Sequence, residues 1–295
     1  MEQSIEIISE EIKEKGVVSV HNLLEQDDLE HILKIVNEPR KGSSDSYYPT
    51  RFSQYLTKLI KLDFKKVNNS FFLKKIAKKL DFKKISETVF GAKAELQMID
   101  CYHNSQSNDQ ILSWHNDIGI TDINNPNALK IFYDAAEATF STKKKSSARG
   151  IKFFINLTDV KSDNGSLAVI PYSDKIVKSV CSLILNKKIS PVSFWSLKNL
   201  RYVVNQKSVK DLLSMEIQKE KIENFLENTK FIENETPDTS KFDFNLKRGG
   251  AVIFDELSVH RGSAPKKTDR IVLRFVYKKI NVLNWKNYTH YFINQ

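Results

Sequence analysis

From about Glu95 onward the chain is written in short runs that are apolar or alternating, each closed by turn residues. "ELQMIDCYHN", "IKFFINLTDV", "LAVIPYS", "GAVIFDELSVH" and "RIVLRFVYKKI" are the main ones. Runs this short, rich in Val, Ile, Phe and Tyr, suit strands and not helices, so the pattern predicts an all-β core. Two segments break the rhythm. Residues 121–148 are polar around a candidate helix, and residues 175–245 hold the helical stretch "SVKDLLSMEIQKEKIENFLENT" followed by a Pro/Asp/Thr loop. Both are expected to be excursions from the β-core, because long connections in compact domains cover or line a site.

The first 92 residues have a different texture. Ile5, Ile7, Ile8 and Ile12 among acids predict an amphipathic helix over residues 3–15 that stops at Gly16. "GVVSVHNLL" reads as a strand, and "EQDDLEHILKIVNE" as a helix with Leu29, Ile32, Leu33 and Val36 on one face. "RKGSSDSYYPTR" is a polar loop, and residues 53–90 read as helical. The hexapeptide "KLDFKK" occurs there twice, an echo of lysine bias on an amphipathic face. The expected architecture is one domain, mainly β with helical additions. Residues 1–92 supply an N-terminal helical layer and residues 93–280 a β-sandwich or jelly-roll core with insertions near 121–148 and 175–245. Residues 281–295 form a C-terminal tail.

Bulk numbers exclude several classes. The 295 residues are 40% hydrophobic with 18 Phe, which supports a packed interior. No apolar run reaches the length of a membrane span. The start "MEQSIEIISEEIKEKG" is polar and acidic, unlike a signal or transit peptide, and the two cysteines, Cys101 and Cys181, cannot make a disulfide framework. Together these predict a cytoplasmic protein. The net charge of +10 comes mostly from lysine scattered over helical stretches. That favours a solvated surface over a nucleic-acid groove, while the field would still draw small anions.

"SWHNDIG" puts His115 and Asp117 two residues apart, a spacing that turns both side chains to one face of a strand. Alone the pair is commonplace, a surface histidine beside a turn cap. "GGAVIFDELSVHRGSAPKKTDRIVLRF" changes its weight by delivering His260 after a β-run and Arg270 at the mouth of the next strand. Two histidines and a carboxylate form the facial triad of non-haem Fe(II) oxygenases, with positions left open for a 2-oxo acid and O2. The far carboxylate of 2-oxoglutarate requires a buried cation, and the planar fork of arginine meets it with two parallel hydrogen bonds.

Longer motifs carry a resemblance. "INLTDVKSDNGSLAVIPYSDK", residues 155–175, closely resembles the central motif of the phytanoyl-CoA dioxygenase family, a strand ending in Asp, an Asn-Gly turn and a second strand. "EKGVVSVHNLLEQDDLEHI" and "HRGSAPKKTDRIVLRFVY" resemble that family's N-terminal strand–helix and its distal His–Pro–Arg block. The likeness runs from about residue 10 to 280 and is poor over 120–148 and 180–245. It implies a double-stranded β-helix (cupin-like), Fe(II) held by His115, Asp117 and His260, and 2-oxoglutarate anchored by Arg270. Arg274, on the same strand face, competes for that role, but the distance from Arg270 to Tyr277 fits the family better. Asn116 stands where relatives often place a polar residue touching the co-substrate; a solvent-facing amide is the alternative. The family's Pro-Gly-Ser-His is "PYSD" here, with Tyr172 and Asp174 replacing the usual Gly and His. The long stretch between Asp117 and His260 points to a lid of the chain's own. Because Asp117 is present, halogenation is disfavoured. The resemblance therefore implies hydroxylation of an unactivated C–H, with 2-oxoglutarate decarboxylated to succinate. The basic charge, not the family, tilts the expected substrate towards a small, polar, anionic metabolite. Desaturation, cyclisation or epimerisation on the same cofactors, and a catalytically silent binding protein, are the alternatives.

Further residues are weighed on position. Trp114 next to His115, and Tyr172 and Trp195, are candidate substrate-side residues; core packing explains Trp114 equally well. Lys152 is a candidate for reaching the co-substrate or an acidic substrate, against the plainer expectation of a surface lysine. His103 reads as a polar or supporting histidine, His21, His31 and His290 have no role, and Asn164–Gly165 is a tight turn.

Overall fold

Nine strands run through the described part of the chain: β1 (Val17–Val20), β2 (Ser44–Tyr47), β3 (Ala94–Asn104), β4 (Leu112–His115), β5 (Ser146–Asn156), β6 (Leu167–Val169), β7 (Ala251–Asp255), β8 (His260–Gly262) and β9 (Arg270–Ile280). The structure is a computed structural model and describes residues 4–36, 44–47, 64–108, 111–140, 146–162, 164–234 and 239–280. The strands form two antiparallel sheets, one of six strands in the order β1-β7-β5-β9-β3-β2 and one of three in the order β4-β8-β6.

Alternation along the long strands divides the large sheet into two faces. Ile151, Phe153 and Ile155 of β5, with Leu273, Phe275 and Tyr277 of β9, pack under the N-terminal helices. Those helices, Ile5–Lys15, Gln26–Val36, Phe64–Lys79 and Phe82–Phe90, contribute Ile8, Ile12, Leu29, Ile32, Leu73 and Ile85. Phe82 stacks on Phe153 at 4.0 Å and meets Phe275 edge-on at 5.4 Å. Burial of one such ring stabilises the layer by about 1.5–3 kcal/mol. The first helix starts at Ser4, whose hydroxyl accepts from the Ile7 amide, and stops at Gly16 in the left-handed conformation, φ 78°.

The opposite face carries Phe154, Val252, Phe254 and Val272, which close against Leu167 and Val169 of the small sheet. Lys152, Arg270 and Arg274 share that strand parity, so these three cationic side chains lie on the face turned to the small sheet. A third cluster covers the other side of the small sheet, where Trp114 and Ala168 meet the helices Pro126–Phe140, Ser173–Leu185, Leu197–Asn205, Lys207–Leu213 and Lys219–Asn228.

Several expectations need correction. The helical reading of 53–90 breaks at Leu80–Asp81, where Asp81 adopts φ 54° and both flanking apolar residues, Leu80 and Phe82, are buried; residues 53–63 lie outside the described residues, as does the 281–295 tail. "LAVIPYS" is a strand only to Val169, since a helix opens at Ser173. "GAVIFDELSVH" is two strands: β7 ends at Asp255 in the large sheet and His260 opens β8 in the small one. Residues 175–245 hold far more helix than the one stretch expected.

Candidate metal centre

His115 closes β4 and stands directly across from His260 at the start of β8. Their ring centroids are 4.4 Å apart. Asp117 completes the group: its Oδ1 lies 3.8 Å from His115 Nε2 and its Oδ2 3.8 Å from His260 Nε2. One ligand atom from each of the three falls within 4.8 Å of the others, the single such cluster among the described residues. Both histidines are buried, and the Asp117 side chain is the accessible member at 30%.

Asp117 does not arrive by strand alternation, contrary to expectation, because β4 ends at His115 and residues 117–119 form a bend. Asn116 makes that bend. Its Nδ2 donates to the carbonyls of Phe194 at 2.8 Å and Trp195 at 3.1 Å, and its Oδ1 accepts from the Gly119 amide at 2.7 Å. The Asn116 amide nitrogen therefore has no donor left for a co-substrate, and the residue is buried, so it is not a solvent-facing amide either. Gly119 is required, since a Cβ there would sit 2.5 Å from the Trp195 Cα.

The imidazoles are oriented alike. His115 Nδ1 lies 2.7 Å from the Ser113 carbonyl and His260 Nδ1 2.9 Å from the Ser258 carbonyl. A carbonyl only accepts, so each Nδ1 carries the proton and each Nε2 presents its lone pair towards Asp117. Burial pushes His260 down to about 3 and lowers His115 as well, so both are neutral near pH 7. For Asp117, burial pulls upward, but the Lys152 ammonium and the His260 imidazole outweigh it and hold the carboxyl well below the usual range. Two neutral imidazole nitrogens and a carboxylate are a ligand set for a divalent first-row ion such as iron, with the backbone carbonyls fixing both tautomers.

The two arginines are in opposite states. Arg274 lays its side edge on Asp100, with Nε 2.8 Å from Oδ1 and Nη2 2.5 Å from Oδ2. Arg270 is buried, and the same edge, Nε and Nη2, has no hydrogen-bond partner among the described residues. Burial brings it down to about 10, partly offset by Tyr102. Gly165, at φ 74°, lets the turn press on the arginine stem, which lies 3.1 Å from where its Cβ would stand. Asn164 ties that turn to the next, accepting from the amides of Lys267 at 2.8 Å and Thr268 at 3.2 Å. Across the strand pair from Arg270 stands Asn104, whose buried Oδ1 is also unpartnered. A buried guanidinium fork with both N–H groups of one edge open fits a carboxylate ligand.

Tyr102 links the two halves and was not singled out in the sequence. Burial, reinforced by Asp100, pushes its phenol up to about 12, and both Asp117 and Arg270 act on it. The alternation of "ELQMIDCYHN" places Tyr102 and Asn104 on one face, which is the signal that could have found them.

The remaining candidates separate. Trp195 is half-buried with its ring 5.0 Å from that of His115, so it walls the centre. Trp114 alternates to the other face of its strand and packs between Phe231, Phe242 and Arg261, which corrects its assignment to the pocket. Tyr172 caps the helix Ser173–Leu185 at φ 65°, with its amide on the Lys15 carbonyl and its ring beneath Lys221. Lys152 is not on the surface: it is buried with Nζ 2.6 Å from Asp117 Oδ2. His103 pairs with Asp269 at 2.8 Å.

No family model matches the chain, and no curated protein matches its sequence. Among solved structures it is similar to the epimerase SnoN in complex with Fe3+, alpha ketoglutarate and nogalamycin RO, at 12% identity over 93% of this chain and 83% of that one, TM-score 0.45. It is similar also to EvdO2 from Micromonospora carbonacea var. aurantiaca complexed with 2-oxoglutarate, at 10% identity over 92% and 90%, TM-score 0.46. A third is HygX from Streptomyces hygroscopicus with nickel and 2-oxoglutarate bound, at 11% identity over 91% and 84%, TM-score 0.47.

Proposed function

We propose that this chain is an Fe(II)- and 2-oxoglutarate-dependent oxygenase acting on a small, polar, anionic metabolite. The observation that carries the reading is the pairing of a two-histidine, one-carboxylate cluster with a buried arginine whose carboxylate-binding edge is open. In this reading the two sheets are a double-stranded β-helix of the phytanoyl-CoA dioxygenase type. Residues 1–295 act as one catalytic domain, with 1–92 as its helical layer.

His115, Asp117 and His260 hold the iron, and Arg270 receives the far carboxylate of 2-oxoglutarate through Nε–H and Nη2–H. Asn104 and Tyr102 line the path between them, and Trp195 shields one side of His115. Iron and 2-oxoglutarate, when bound, supply O2-dependent oxidation of a C–H bond with release of succinate and CO2. The chain's own part is to orient these groups and to exclude water, which the apolar cluster of Phe154, Phe254 and Val272 does between the sheets. Hydroxylation is the expected outcome; a desaturated, cyclised or epimerised product would identify the alternatives.

The test is anaerobic titration of the protein with Fe(II) and then 2-oxoglutarate, read by the metal-to-oxo-acid charge-transfer band, followed by a metabolite screen for O2-dependent succinate release. The band is expected in the wild type and absent in His115→Ala and Arg270→Met. A wild type without the band, or a band unchanged by His115→Ala, overturns the reading. A band without any succinate points to the silent binding protein.

A further inference from the structure

A lysine salt-bridged to a metal-binding carboxylate is a costly arrangement, because it sets a buried positive charge beside the place a cation must enter. Lys152 has 6% of its side chain accessible, and its Nζ lies 2.6 Å from Asp117 Oδ2 and 3.7 Å from Glu256 Oε1. Glu256 in turn bonds Lys278 through Oε2. The result is a row of alternating charges, Asp117–Lys152–Glu256–Lys278, leading away from the centre. The register explains it: Lys152 pairs with Phe254 on β7 and Val276 on β9, which brings Glu256, just past the end of β7, and Lys278 alongside. Gly150 leaves the room, since a Cβ there would meet Glu256 Oε2 at 2.6 Å. The ammonium also stands over the Phe254 ring at 5.9 Å.

We propose that Lys152 is a positioning residue that occupies Asp117 Oδ2, leaves Oδ1 as the single metal-binding oxygen, and biases the centre against a bare cation in favour of a cation accompanied by a dianionic 2-oxo acid. Two consequences follow from charge and geometry. A carboxylate held at one oxygen by an ammonium takes one coordination position and not two, which keeps positions open for the oxo acid and O2. A fixed positive charge in a poorly solvated site repels a lone divalent ion and attracts a dianion. Lys152 therefore makes metal retention depend on the co-substrate. This inference rests on the function proposed above and adds a role that function does not require.

The experiment measures two affinities separately, without turnover. Anaerobic calorimetry gives the Kd for Fe(II) alone, and then the Kd for 2-oxoglutarate on the iron-loaded protein, for wild type, Lys152→Met and Glu256→Gln. Methionine keeps the stem packed on Phe254 and removes the charge. Lys152→Met is expected to bind Fe(II) about tenfold tighter and 2-oxoglutarate about tenfold weaker, the size of effect one nearby charge exerts in a partly solvated site. Glu256→Gln removes the charge that offsets Lys152 and shifts both affinities the opposite way. If both affinities fall together in Lys152→Met, or neither moves, Lys152 is only a packing element and the proposal fails. A wild type that binds neither probe overturns the proposed function together with this inference. Wild-type binding with unchanged variants overturns the inference alone.

Discussion

Arg270 and Arg274 stand four residues apart on one strand, both turned to the inner face, and the chain uses them for opposite purposes. Arg274 is stabilised by Asp100, and its removal leaves a buried carboxylate unpaired. Arg274→Met should therefore destabilise the fold by about 3–5 kcal/mol in urea melts of the metal-free protein. Arg270 has its fork open, so the folded chain bears the cost of desolvating it. Arg270→Met should stabilise the metal-free protein, by about 1–3 kcal/mol, while abolishing 2-oxoglutarate binding. Equal destabilisation by the two variants would show that Arg270 has an internal partner. The sequence made both arginines candidates. What separates them is Asp100, 174 positions away, and that distance is the reason spacing alone left the matter open. The convergence of His115, Asp117 and His260 was legible because the side chains able to hold a metal belong to few residue types. Lys152 was a candidate too, but its burial against Asp117 was not legible, because one lysine among scattered surface lysines carries no local mark of burial.

Although Ser44–Tyr47, inside the expected polar loop, is a strand, the long strands β3 and β9 were legible, since period-two alternation is local to each run. The bend after β4 was not, because Asn116 shapes it through carbonyls 78 and 79 residues away. Losing those bonds should let Asp117 drift: Asn116→Ala is expected to weaken Fe(II) binding about 10–100-fold, the effect typical of a residue that orients a metal ligand. Unchanged affinity in an anaerobic titration would mean that the bend holds itself. A second junction, where the helix Ile5–Lys15 ends against the start of the helix Ser173–Leu185, buries Asp174. Its Oδ1 lies 2.6 Å from where a Gly16 Cβ would stand. Burial, then the neighbouring Asp255, raise Asp174 to about 6, against the pull of Lys175 and Arg149. An aspartate in the unfolded chain titrates near 3.9, so between roughly pH 4 and pH 6 the folded state binds more protons than the unfolded one. Stability from this group is thus present at low pH and lost as pH rises through that window. Asp174→Asn should raise unfolding free energy at pH 7.5 by on the order of 2 kcal/mol and change little at pH 4. Urea melts at the two pH values check the sign; a larger gain at pH 4 would refute it.

At the scale of the molecule, two apolar clusters meet at the small sheet from opposite sides, while the third joins the N-terminal helices to the far face of the large sheet. The apolar contacts of the helical layer thus lie apart from the candidate metal centre, whose three side chains come from β4, the bend after it and β8. Among the described residues that small sheet has three strands, and the pairing of β4 with β8 shifts register between Leu112 and His115. An ion held by His115, Asp117 and His260 would cross-link this weaker sheet, and an oxo acid on Arg270 would tie it to β9. Ligands that bind only the native state stabilise it, and the gain appears where local opening breaks the site. Hydrogen exchange on adding Fe(II) and 2-oxoglutarate anaerobically should therefore slow at residues 112–119, 194–196 and 258–272. It should stay unchanged in the helix Ile5–Lys15 and in Gln26–Val36, where opening does not touch the ligands. Protection spread evenly over the chain would mean that the molecule opens only as a whole, and protection confined to the N-terminal helices would place the ligands elsewhere.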